Sequence, residues 1–209
     1  MKRINEYGRS FAEILGVLGI IGVLSVGGIA GYTKAMYKLQ MHKTISFVSD
    51  ALFNYNLFIK RDIKGYPSVT SKMAENAKKF DLLPDCKPEV SALGGSNYQV
   101  CRAPLGEIYP RFYETSVAEG HQYTYMLYVT FLKNYRQACS DFLTQNWDRV
   151  VPDKLWKKGR LWIVSNTKEE VLYGGSTKKL DLASIGNACE NVCSDTTYCT
   201  VVFDFATIR

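Results

Sequence analysis

Residues 11–32 read FAEILGVLGIIGVLSVGGIAGY, an apolar run whose only charge is Glu13. About 20 consecutive apolar residues suffice to cross the hydrocarbon core of a bilayer as a helix, so the run predicts a membrane-spanning helix. It has no polar side, as expected of a helix that faces no water. Ahead of it lies MKRINEYG, a short basic leader with Lys2 and Arg3 that favours a cytoplasmic N-terminus. Lys34, Lys38 and Lys43 follow the run, so charge alone does not fix orientation. Beyond it, Met36, Leu39, Phe47, Val48, Ala51, Leu52, Tyr55 and Phe58 recur at steps of three and four, which predicts one apolar stripe on a continuing helix. The first break is Gly65-Tyr66-Pro67. One helix from about Ser10 to Asp62 follows, roughly 80 Å long at 1.5 Å per residue.

Three readings of the run compete. Gly28-Ile29-Ala30 fits a small-residue cleavage site, which makes a cleaved secretory signal one of them. A plain anchor for an unrelated exported or membrane-attached binding domain is the second. Glu13 speaks for a third. A carboxylate within an apolar helix costs roughly 2.5–3.5 kcal/mol at mid-membrane and less near the edge. It either snorkels to water or meets a cation there.

Gly8-Arg9-Ser10-Phe11-Ala12-Glu13-Ile14-Leu15, followed by GVLGIIGVLSVGGIAGY, resembles the prepilin signature of type IV pilins and type II secretion pseudopilins. The resemblance covers about the first 35 residues and implies a filament subunit with no enzymatic activity and no cofactor. It makes Gly8 the residue after which a prepilin peptidase cuts, Arg9 the new and methylated terminus, and Glu13 the carboxylate that neutralises that amine on a neighbouring subunit. It implies a leader at 1–8, a membrane and assembly helix at 9–32, an amphipathic continuation at 33–65 and a head at 66–209. The partners implied are other copies or related pilins, the peptidase and the inner-membrane assembly machinery. The implied location is the inner membrane before assembly and an extracellular or periplasmic filament after it. This chain departs from the family pattern in having Arg9 where an apolar residue is usual. It also has Ala30, among Gly27, Gly28 and Gly31, where the family often has proline. Removal of the leader lowers the formal charge from +6 to +5, because two cations leave with one carboxylate.

The remainder reads as an α+β head with an antiparallel sheet. Ser71 to Phe80 predicts a short helix and Tyr123 to Phe131, YTYMLYVTF, a strand rich in aromatic and β-branched residues. Lys133 to Trp147 predicts a helix. Leu161 to Ser165, Val171 to Tyr173 and Thr200 to Phe205 predict strands, with a turn at Gly174-Gly175. Hydrophobic content of 46% and charged content of 22% are those of a folded protein rather than a disordered one.

Six cysteines, Cys86, Cys101, Cys139, Cys189, Cys193 and Cys199, point to an oxidising compartment. Zinc is one use of Cys189, Cys193 and Cys199, with His42 and His121 as the available imidazoles, but no C-x-x-C pair is present. Disulfides are the favoured use, and six cysteines leave 15 connectivities. A Cys86–Cys101 pair closes a local loop around Gly94-Gly95, and Cys139, inward on its helix, reaches toward the C-terminal cluster. Catalytic signatures are absent: no G-x-S-x-G, no P-loop and no dinucleotide fingerprint. A cysteine–histidine nucleophile using His121 has nothing in the sequence to assemble it. One basic stretch, KLWKKGRLW at 154–162, interleaves Lys154, Lys157, Lys158 and Arg160 with Trp156 and Trp162. It is either a phosphate-binding, base-stacking surface for nucleic acid or, the reading preferred here, a solvated basic loop whose tryptophans enter the core.

Overall fold

The computed structural model describes residues 6–60, 78–79, 81–83, 85–93, 99–117, 120–132, 135–147, 151, 159–173, 181–194 and 196–208. Most of the helix expected at 71–80, the breaks at 65–67 and 174–175, and Lys154, Lys157 and Lys158 lie outside them. The chain divides into two units at Gln40/Met41, inside the first helix.

Helix α1 (Glu6–Lys60) is continuous through the glycine cluster. Two of its hydroxyls are satisfied within the helix: Ser25 Oγ donates to the Ile21 carbonyl at 2.7 Å and Thr33 Oγ1 to the Ala30 carbonyl at 3.0 Å. Neither group therefore needs water. In the second unit, Met41, Thr44, Val48, Ala51, Leu52 and Tyr55 form the buried side of the helix. Part of the expected stripe is displaced. Phe47 is only half-buried, Leu39 is exposed, and Thr44 lies within the stripe instead.

The second unit is built on a seven-stranded, wholly antiparallel sheet in the order β1-β2-β3-β4-β7-β5-β6. Its strands are β1 (Pro88–Val90), β2 (Gln99–Ala103), β3 (Gly106–Val117), β4 (Gly120–Phe131), β5 (Gly159–Val164), β6 (Glu169–Tyr173) and β7 (Cys199–Ile208). Helix α2 (Tyr135–Leu143) follows β4, and helix α3 (Leu182–Val192) precedes β7.

Alternation decides which face is core. Tyr125, Leu127, Val129 and Phe131 of β4 are buried beside Val201, Phe203 and Phe205 of β7 and Leu161 and Ile163 of β5. Tyr55 of α1 stacks on Tyr125, with centroids 3.7 Å apart and planes 10° apart. Helix α2 inserts Phe142 against Phe131 and Phe203, while Trp147 packs on both Phe142 and Phe203 and donates its Nε1 hydrogen to the Phe142 carbonyl.

Strands β1 to β3 and helix α3 were not expected from the sequence. Pro110 and the alternating charges of β3 hide a strand. Yet β2 registers with β3 only as far as Ile108, so Pro110 stands at an edge where a missing N–H is tolerated. Helix α3 contains Gly186, Asn187 and Asn191, all weak helix formers. Its N-cap Asp181, which accepts from Ser184 N and Ser184 Oγ, and the buried set Ile185, Ala188, Cys189 and Val192 hold it instead.

Candidate assembly segment and the stapled head

From Phe11 to Tyr32 every large apolar side chain is more than half exposed, on all sides of α1. An added Cβ at Gly16, Gly19, Gly22, Gly27, Gly28 or Gly31 would meet nothing within 4 Å. This is the one described helix long and apolar enough to cross a membrane, and its apolar window is unburied. Glu13 is exposed within the same segment. Gly8 and Arg9 lie in the first turns of α1. The Arg9 side chain is outside the described residues.

All six cysteines are disulfide-bonded. Cys86 joins Cys101 on β2, with Cα atoms 5.1 Å apart. Cys139 of α2 joins Cys189 of α3, and Cys193, the C-cap of α3, joins Cys199 at the start of β7. The first of these C-terminal bonds ties the two short helices together, and the second ties α3 to β7, an interior strand of the sheet. The Sγ atoms of Cys139, Cys193 and Cys199 all lie within 4.8 Å of one another and are buried. That grouping suits a thiolate metal centre, but each sulfur is already bonded to another and offers no thiolate.

The opposite sheet face carries charge that is matched internally. Arg160 donates from Nη2 and Nε to Asp204 Oδ2 at 2.8 and 3.1 Å, and its guanidinium lies 5.2 Å from the Trp162 ring centroid. Arg160 is thus engaged by a nearly buried carboxylate and an indole, so the basic stretch loses one free cation. Its three lysines lie outside the described residues. Glu107, with no exposed side-chain surface, accepts from Ser91 Oγ and the Ala92 N–H, both at 2.6 Å, and from Arg102 Nη1 at 2.9 Å. Arg102 also reaches Glu89 on β1, so this network fastens the β1–β3 edge. Burial, reinforced by Tyr128, pushes the Tyr109 hydroxyl well above the ordinary phenol range. Its ring stacks on Tyr128 at 4.7 Å. Among the described residues these groups knit strands together, and no nucleophile–base pair forms. His121 is on β4 with its side chain outside the described set, and His42 is exposed on α1.

No family model matches the chain, and no curated protein matches it. Among solved structures it is similar to a type IVb pilin from Salmonella typhi. The likeness spans 79% of this chain and 97% of that one, at 13% identity and a TM-score of 0.46.

Proposed function

We propose that the chain is a type IV pilin-like structural subunit, cut after Gly8 by a prepilin peptidase and polymerised through α1 into a filament. The observation that carries this reading is the segment 11–32, apolar and exposed on every side with one carboxylate near its start. Water does not accommodate such a surface. Lipid does before assembly, and the helices of other copies do afterwards. Cleavage places an amine at Arg9, just over one helical turn or about 6 Å along the axis from Glu13 of the same chain. In the filament the carboxylate of an incoming subunit meets the terminus of one already assembled. Low dielectric strengthens that pairing, and desolvation cancels part of the gain. The head, stapled by three disulfides, is the part left outside.

The test is Glu13→Val. Membrane insertion and cleavage should persist while filament recovered by shearing falls to background. Glu13→Asp should be partly defective and Arg9→Phe better tolerated than loss of Glu13. A variant that assembles as well as the parent refutes the carboxylate's role. Intact mass of the exported protein should place the terminus at Arg9, with or without a methyl group. A terminus at Gly31 would instead mark a cleaved secretory signal.

A further inference from the structure

We propose that Cys139, Cys189, Cys193 and Cys199 form a thiol–disulfide exchange unit, in which a thiolate freed from one bond attacks the other inside the head. This inference is independent of the filament reading. Three observations carry it. The two bonds abut, since Cys139 Sγ lies within 4.8 Å of both Cys193 Sγ and Cys199 Sγ, sulfurs to which it is not bonded. All four residues are at most 1% exposed, so in the closed head Cys139, Cys193 and Cys199 meet one another's sulfurs rather than solvent. They also arrive on three separate elements: α2, the C-terminal end of α3 and the start of β7. Movement of one element therefore changes which sulfurs meet.

Exchange needs a thiolate attacking a disulfide sulfur, with the leaving sulfur departing as a thiolate. When local opening of the head admits a small phosphine or thiol reductant to Cys193–Cys199, the Cys193 or Cys199 thiolate attacks Cys139 Sγ. A Cys139–Cys193 or Cys139–Cys199 bond forms and the Cys139–Cys189 bond breaks. Cys189 leaves with the electron pair and takes up the proton that the attacking thiol gave up. The step is neutral in oxidation state, and the same unit runs backwards. Only the thiolate attacks, so alkaline pH accelerates the exchange.

The unit solves a pairing problem. Cys193–Cys199 spans 6 residues and Cys139–Cys189 spans 50. Loop-closure entropy favours the shorter loop, so the C-terminal cysteines pair among themselves before Cys139 arrives. Internal attack by the Cys139 thiolate on Cys189 Sγ of a wrong tail pair, such as Cys189–Cys199, then forms the native Cys139–Cys189 bond and releases Cys199 as a thiolate, without complete reduction. Cys86–Cys101 lies outside this traffic. Its strand β2 is three positions from β7 in the sheet, about 14 Å at the spacing of neighbouring strands.

The full chain in detergent is opened with limiting phosphine at pH 3, where thiols do not exchange, then shifted to pH 8.5, acid-quenched at intervals and mapped by peptide mass spectrometry. Cys139–Cys193 and Cys139–Cys199 linkages should grow with time, and none should join this group to Cys86 or Cys101. A second arm uses Cys189→Ser, which leaves Cys139 beside the Cys193–Cys199 bond. It should give a mixture of the three possible pairs, whereas Cys86→Ser should leave all four C-terminal cysteines in their native pairs. Retention of only native linkages after the pH shift overturns the proposal, even if the Cys189→Ser variant fails to fold. Scrambling that includes Cys86 or Cys101 overturns it equally, since that marks global unfolding.

Discussion

Residues 11–32 and 41–55 share one helix and one backbone geometry, yet their side chains meet opposite surroundings. In the first, Ile20 is 63% exposed and Val23 74%; in the second, Val48 and Ala51 are fully buried and Tyr55 is 1% exposed. The second segment is held by the sheet it packs against, as most helices in globular proteins are. The first contains six glycines, each of which weakens a helix by roughly 1 kcal/mol relative to alanine. Its order has to come from a medium or from neighbours outside the chain. Continuity of secondary structure is therefore no guide to where stability originates.

The strongest way to sharpen that contrast is to damage the sheet alone. At Gly106 an alanine Cβ would lie 1.8 Å from the Thr130 carbonyl oxygen, which is backbone and cannot step aside. Gly106→Ala should cost on the order of 5 kcal/mol. Near-ultraviolet circular dichroism of the chain in detergent should then lose its head signal, with the helical signal of 11–32 retained. Next comes a matched pair on α1 itself. Tyr55→Ala should destabilise the head by about 3–5 kcal/mol, while Ile20→Ala should leave head unfolding within about 0.5 kcal/mol. Equal effects in a denaturant titration would break the distinction. Arg160→Ala strands a nearly buried Asp204 carboxylate, but the arginine is half-exposed, so a loss of about 1–2 kcal/mol is expected, read as a lower denaturation midpoint.

The smallest effect belongs to Asp181. The Ser184 hydroxyl and backbone N–H lower its carboxyl below the ordinary aspartate value. The stability it contributes is complete above that ordinary value, about pH 4, and disappears as pH falls through the lower folded-state value. Asp181→Ala should therefore melt slightly below the parent at pH 7, with the gap narrowing as pH falls below about 4.

What the sequence disclosed follows the same division. Twenty-two residues with one charge announce themselves, because an apolar helix needs no partner to be recognised. The buried stripe of α1 was legible from Val48 to Tyr55 but not at its start, where Met41 and Thr44 lie inside and Leu39 and Phe47 do not. Thr44 lies inside because its neighbours do, and no propensity encodes that. Strand β3 was hidden because Glu107, Tyr109 and Arg111 make its outer side polar, while the buried acceptor role of Glu107 depends on Ser91 and Arg102, contributed by distant positions. The cysteines behaved likewise. Loop length singled out the local pair Cys86–Cys101, but the choice among Cys189, Cys193 and Cys199 for Cys139 depends on how α2 meets α3. Helix α3 did carry a signal, the capping Asp181 followed by apolar steps of three and four, which its glycine and asparagines outweighed.

The position of β7 sets a clock on biogenesis. It is inserted between β4 and β5, and Thr130 of β4 waits for Thr200, 70 residues later, to complete its hydroxyl contact. At ribosomal speeds of about 5–20 residues per second that wait is roughly 4–14 s. Until β7 arrives, β4 and, once it has been made, β5 each present an unpaired edge, open to any passing strand. The sheet therefore closes only when β7 slides between β4 and β5.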